Sequence, residues 1–282
     1  KYQKFHDYNP SVMDQLIRFE SEIIHPMGNY KVPVITLSNR IPKEAVCQVF
    51  ENVNTGGVSL TVFELITATF AADNFELRKD WDKRFETMVD KSKDLLSEVS
   101  STDFLTAVTL LSRYYIKSSG GEAVSCKKKD VLNLSLQEYI KYADELTNGF
   151  IEASNFLREE RIFSPRDLPY STQLIPMSVL YAILKNRSCD GIIRDKISQW
   201  YWCGVFGEMY GGANESRYVT DVTGMMNWIQ GNEEPDTIAR AYFQPTRLLT
   251  LQSRLSAAYK GIMALLLKNG ALDFISGKAM DF

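Results

Sequence analysis

Apolar positions recur at helical spacing along most of this chain, and short breaks rich in glycine, proline and serine separate the runs. Val12, Met13, Leu16, Ile17, Ile23 and Ile24 predict an amphipathic helix over 11–25, with Ser11 as its cap and Pro26 and Gly28 as its stops. Residues 31–37 alternate Val32, Val34 and Thr36 against Pro33, Ile35 and Leu37, the period of a β-strand. Pro33 confines that strand to an edge or to its beginning, and its sheet partners are expected before residue 1. Over 44–70 two helical patterns flank a polar break. Ala45, Val46, Val49 and Phe50 form the first; Leu60, Phe63, Ile66, Thr67 and Phe70 form the second. Thr61 or Ser59 suits the cap of the second helix, with Glu64 in capping-box register after Thr61.

Further on, Trp81, Phe85, Met88 and Val89 keep helical spacing beside a charged face. Thr102 or Asp103 starts a helix with Phe104, Val108, Leu111 and Tyr115 inward, and Ser118-Ser119-Gly120-Gly121 ends it. A long helix over 136–162 turns Tyr139, Ile140, Ala143, Leu146, Phe150, Ala153, Phe156 and Leu157 inward, and leaves the charged run 158–161 in solvent. Residues 175–184 are apolar on nearly every side, which places them at the centre of a bundle. Helices follow over 192–206, 218–229 and 253–268, the last with Leu255, Ala258, Tyr259, Ile262, Met263 and Leu266 inward and Asn269-Gly270 at its end. The pattern predicts a mainly α protein, a helical bundle over 76–282, with a small α/β portion over 1–75.

The 282 residues are enough for one large domain or two, and 45% hydrophobic with 24% charged residues is the balance of a soluble globular chain. A formal net charge of −3 argues against a globally basic nucleic-acid binder and leaves local patches open. No apolar run approaches the roughly 20 residues of a membrane span. Cys47, Cys126, Cys189 and Cys203 are scattered without a C-x-x-C pair, which predicts reduced thiols and a cytoplasmic protein. The chain opens at Lys1, not Met, and stops shortly after an apolar helix, so it is expected to be part of something longer.

The chemistry centres on the break Asn52-Val53-Asn54-Thr55-Gly56-Gly57. Its glycines free the backbone, Asn54 tolerates positive φ, and the following helix N-terminus presents N–H groups that suit phosphate. The same residues also suit an ordinary corner between helices. Tyr210-Gly211-Gly212 before the helix at 218 repeats the pattern. There Arg217 is a candidate phosphate contact, Ser216 a cap, and Asp221 a carboxylate for the helix dipole or for a ligand. Lys127-Lys128-Lys129 reads as a solvated helix start or as a contact to a phosphate backbone, and Trp200 and Trp202 as core aromatics or as base-stacking platforms. Glu51 and Glu64 could converge on one metal, which spacing alone does not decide. The chain has two histidines, His6 and His25, and lacks G-x-x-x-x-G-K-[S/T], G-x-S-x-G and H-E-x-x-H. It therefore carries no P-loop and no histidine-based nuclease cluster.

FENVNTGGVSLTVFEL resembles a segment of the GmrSD-type family of modification-dependent restriction and anti-phage proteins. The run from Tyr30 to Leu37 resembles the strand before that segment, and Trp200–Tyr210 resembles a later helix of the family. The resemblance implies that residues 1–75 are the C-terminal part of a ParB-like nucleotide-hydrolysing domain. It implies that Asn52, Asn54, Thr55, Gly56 and Gly57 line one wall of a nucleotide pocket, with Glu64 orienting the turn or contacting metal-bound water. A nucleoside triphosphate with Mg2+ would be the ligand, DNA a partner of the whole protein, and an HNH-type nuclease domain or a second copy of the chain a further partner. The family's Asp-Gly-Gln-Gln-Arg motif and the nuclease residues are absent from this sequence, so the chain by itself is expected to be inactive or to bind weakly. The rival expectation is a non-catalytic helical module that recognises a protein partner through exposed aromatics.

Overall fold

Side-chain capping sets where the main helices at 10, 62, 101, 136, 191 and 257 begin. The computed structural model describes residues 2–32, 34, 61–121, 123–212 and 214–278, which form helices joined by turns, with no β-strand among them. The expected strand is therefore not seen at Lys31, Val32 and Val34, and Pro33 and 35–37 lie outside the described residues. So does the first helical pattern, over 45–50. The chain divides into two compact units, Lys1–Pro42 and Lys43–Phe282.

The first unit holds α1 (Tyr2–Phe5), α2 (Pro10–Phe19) and α3 (His25–Asn29), with a π-helical turn, Glu20–Ile24, joining the last two. Asn9, not Ser11, caps α2: its side chain accepts from the Ser11 N–H at 3.1 Å. Nor do Pro26 and Gly28 stop the helix, which continues to Asn29. In the π-helical turn the His25 N–H reaches back to the Glu20 carbonyl, widening the ladder one residue before Pro26. That turn makes room for a ring that would otherwise meet the carbonyl four residues back. No residue of α2 or α3 is buried.

The second unit contains α4 (Val62–Ala71), α5 (Leu77–Ser92), α6 (Ser101–Ser118), α7 (Lys128–Leu132), α8 (Leu136–Glu159), α9 (Leu174–Leu184), α10 (Gly191–Phe206), α11 (Glu215–Ile229), α12 (Asp236–Ala239) and α13 (Ala257–Lys268). Reciprocal capping boxes start α4 (Thr61 with Glu64), α6 (Ser100 with Asp103) and α8 (Ser135 with Glu138). Helix α6 thus begins at Ser101, one or two residues ahead of the expected Thr102 or Asp103, and Asp103 is the acidic partner of its Ser100 cap. Helix α9 is the axis. Every residue of it except Ile183 is buried, and α6, α8 and α11 pack around it. Full burial of a Leu or Met side chain is worth roughly 1.5–3 kcal/mol, so the contacts of α9 are a large share of the drive to fold.

In the second unit four positions predicted to face inward are exposed: Ile140, Leu255, and Met263 and Leu266 of α13. Ile140 is 55% exposed. On its stripe of α8, through Asp144, Thr147 and Ile151, cover from neighbouring helices begins only at Thr147. Leu255 is 85% exposed because α13 begins two residues after it. The charged run 158–161 departs from expectation in the other direction: Glu160 is buried. Its Oε1 accepts from Ser198 Oγ at 3.0 Å, and its Oε2 from Trp202 Nε1 at 2.9 Å and Lys268 Nζ at 2.6 Å. Three donors and one full counter-charge make that burial tolerable, and they tie the end of α8 to α10 and α13.

Helices α8 and α9 pack backbone to backbone at Gly149. A Cβ there would stand 2.3 Å from the Ser178 carbonyl oxygen and 3.2 Å from the Ala182 Cβ. Gly149→Ala should lower unfolding stability by about 1–3 kcal/mol through overpacking, despite the better helix propensity of alanine. Urea denaturation monitored by circular dichroism measures it; an unchanged midpoint would mean that the two helices do not meet there.

Candidate functional site

The candidate site begins where α4 begins. Thr61 Oγ1 accepts from the Glu64 N–H at 3.5 Å, and Glu64 Oε2 accepts from the Thr61 N–H at 2.7 Å and from the Thr61 hydroxyl. Arg78 of α5 stands 3.6 Å from Glu64 Oε1, with its guanidinium 5.4 Å from the centre of the Phe63 ring. The Thr61 hydroxyl, joined by backbone N–H groups and Arg78, holds the Glu64 carboxyl below its ordinary value. Glu64 is thus occupied in fixing the first turn of α4. Asn52, Asn54, Thr55, Gly56 and Gly57, like Glu51, lie outside the described residues, so of the predicted site only Glu64 is placed.

A cleft of about 400 Å3 opens beside this turn. Val62 of α4, Asp103 and Thr106 of α6, Lys128 of α7, and Gly212 and Tyr218 at the start of α11 line it. Three features picked out in the sequence therefore meet on one surface: the residue after the Thr61 cap, one lysine of the 127–129 run, and the second glycine turn. The lysine run itself starts α7, with Asp130 Oδ2 accepting from the Lys127 N–H at 3.0 Å. Asp103 and Glu215 are the carboxylates on the cleft wall. Among the described residues, no group of three or more His, Cys, Asp or Glu side chains is gathered to hold a metal ion.

The second glycine turn differs from expectation. Neither Gly211 nor Gly212 has positive φ; Glu208 takes the left-handed conformation instead, at φ 54°. Asn214, not Ser216, occupies the cap position of α11, and its Nδ2 donates to the Tyr210 carbonyl at 3.2 Å. Arg217 turns inward and donates to Thr237 Oγ1 at 3.1 Å, not toward a ligand. Asp221 is fully buried, accepting from the Tyr210 hydroxyl and from Thr237 Oγ1, the latter at 2.6 Å. It is a packing group of α11, α12 and the 210 turn. Burial pushes the Asp221 carboxyl above its ordinary value, against the pull of Thr237 and Tyr210, and burial beside that carboxylate pushes the Tyr210 hydroxyl well up. Trp200 is fully buried and Trp202 donates to Glu160, so both serve the core. Cys126, Cys189 and Cys203 are free thiols. Burial pushes Cys126, on the cleft wall, up to about 12, which leaves it unreactive at neutral pH.

No family model matches the chain. It is similar to MJ0686, an uncharacterized protein of Methanocaldococcus jannaschii, at 26% identity over 279 residues, covering 91% of this chain and 45% of the relative. The chain thus spans about half the length of the curated relative it matches. No solved structure matches.

Two outcomes follow from this geometry. Thr61→Ala should cost about 0.5–2 kcal/mol of stability by removing the side-chain cap of α4, read from denaturant midpoints; an unaltered midpoint would show that the capping box is idle. Asp221, whose folded value is raised, binds its proton more tightly folded than unfolded. Its stabilising share is complete below the ordinary value of 3.8 and is lost as pH rises through the raised folded value. Asp221→Asn should flatten that part of the stability–pH curve, and a curve of unchanged shape would show that folding leaves the Asp221 carboxyl at its unfolded value.

Proposed function

We propose that this chain is part of a restriction-like anti-phage defence protein of the GmrSD type. It contributes one side of a nucleotide-binding site and a helical region that couples the site to DNA recognition and cleavage elsewhere in the protein. Residues 1–75 read as the end of a ParB-like α/β domain. The observation that carries the proposal is the position of the 400 Å3 cleft. It lies at Val62, directly after the cap that follows the Asn52–Gly57 stretch, and its volume is within the usual range for small-molecule sites. A nucleoside triphosphate entering there would meet the Lys128 ammonium, the backbone at Gly212 and the first turn of α4. Mg2+ is held largely by phosphate oxygens with one or two carboxylates, and Asp103 and Glu215 are the ones within the wall. Asp103 also closes the α6 cap, so Glu215 is the freer of the two.

A second reading, a helical module that binds a protein partner or another copy of the chain, is favoured by one observation. Ile17, Phe19, Ile23, Ile24 and Met27 are all exposed along α2, the π-helical turn and α3.

Calorimetric titration with GTP, ATP and CTP in the presence of Mg2+, on the chain and on Asn54→Ala, separates the two. Under the nucleotide reading at least one triphosphate binds, and Asn54→Ala weakens it about tenfold or more, the worth of a charge-assisted hydrogen bond. Absence of heat with all three nucleotides would set that reading aside.

A further inference from the structure

A second cleft, about 220 Å3 in volume, lies at the end of α8. Arg161, immediately after the α8 cap, Arg166 in the short 3-10 turn Pro165–Asp167, and Arg254 ahead of α13 all line it, together with Lys260 of α13. Tyr259, Met263 and Leu267 give it an apolar side. Its one carboxylate, Asp167, is turned to its own helix start, accepting from the Ser164 N–H at 3.1 Å and Oγ at 2.8 Å. Lys260 Nζ donates to the Leu168 carbonyl at 3.0 Å. Among the described residues none of the three guanidinium groups has a hydrogen bond or ion pair.

Elsewhere in the chain arginine is usually paired. Arg84 bridges Asp80 and Asp144, Arg113 meets Glu138, Arg194 meets Glu159, and Arg247 meets Glu208. Three unpaired guanidiniums around one cleft repel one another, in a chain whose net charge is −3. Arg161 also holds φ at 66°, the left-handed position after a helix where glycine is the usual residue. The end of α8 accounts for one cation by its dipole, but not for Arg166 or Arg254, which come from other segments. A shared anion accounts for all three.

We propose that Arg161, Arg166 and Arg254 form a phosphate-binding cleft, separate from the one at α4 and independent of the nucleotide reading there. Planar guanidinium forks match the oxygens of a phosphoryl group, and several of them can grip one phosphate from different sides. The volume is below the 300 Å3 at which whole small-molecule sites usually begin, so it admits a phosphate with its sugar, the sugar lying against Tyr259 and Met263. Such a group is carried by a free nucleotide or by the phosphorylated end of a nucleic-acid strand.

The test uses the whole chain with three probes: pyrophosphate, a nucleoside monophosphate, and a short single-stranded DNA with or without a 5′-phosphate. Binding is followed by calorimetry for the small anions and by fluorescence anisotropy for the strand. Arg161→Gly, Arg166→Gln and Arg254→Gln should each weaken binding about tenfold or more, while Arg187→Gln, an exposed arginine outside the cleft, should leave it unchanged. Arg161→Gly suits the left-handed backbone, so it should melt at or above the temperature of the parent protein and still lose binding. If the free group is the ligand, pyrophosphate and the monophosphate bind and displace the strand. If a strand end is the ligand, the 5′-phosphorylated DNA binds at least tenfold more tightly than both the small anions and its unphosphorylated form. The proposal is overturned if none of the probes binds, or if Arg187→Gln weakens binding as much as the cleft variants do.

Discussion

The structure of the second unit depends on one constraint: α9 has no polar side. Its residues from Leu174 to Ala182 are all buried, and only Ile183 near its end reaches partly to the surface. A helix of that composition cannot lie on a surface, so α6, α8 and α11 must close around it. The closing is tightest on α8, where Gly149 lets the Ser178 carbonyl approach the neighbouring backbone. Ser178 itself is buried, and its hydroxyl donates to the Ile175 carbonyl at 2.9 Å, so this buried side chain is satisfied within α9. Once α8 and α9 are fixed in this way, the two ends of α8 become fixed points for what lies beyond the core.

At the first end, Tyr139 donates to Asp80 Oδ2 at 2.6 Å, and Arg84 joins Asp80 to Asp144. This holds α5 on α8, and α5 in turn offers Arg78 to Glu64 at the start of α4. The position of the α4 N-terminus is thus set from the core outward. That matters for any ligand role, because backbone N–H groups act as an anion site only when the turn presenting them is held still. Glu64 supplies this rigidity and, in doing so, commits both of its oxygens.

How much was legible in the sequence follows from the range of each signal. Capping boxes are local, so Thr61 with Glu64 could be read directly, and so could the all-apolar run at 175–184. The end of α6 at Ser118 followed from four small residues in a row. Ser11, by contrast, lost the cap of α2 to Asn9, since both neighbours have the right chemistry and only the backbone geometry chooses between them. Pro26 was read as a stop because its ring blocks a regular ladder, and the π-helical turn that admits it has no sequence signature. Arg217 and Asp221 are candidate ligand groups in the sequence because they follow a glycine turn like the first one, at the start of a helix. Their partner, Thr237, is supplied by the return of the chain at α12. Asn52 to Gly57, on which the family resemblance rests, lie outside the described residues.

The other end of α8 shows why long-range charge clusters escape a reading along the chain. Glu160 sits in a run, Arg-Glu-Glu-Arg, whose composition is that of a solvated helix end, and yet it is buried. A buried carboxylate must be neutralised where it stands, and the cation that does so, Lys268, comes from the last turn of α13. That bond, with Lys260 on the Leu168 carbonyl, lays α13 along the end of α8. It brings Arg254, from the segment leading into α13, to the same cleft as Arg161 and Arg166, more than eighty positions earlier in the chain. The pairing of one acid thus helps decide where three bases meet: by taking Lys268, Glu160 seats α13 at the end of α8, and with it Arg254, which among the described residues shares its cleft with two further unpaired arginines.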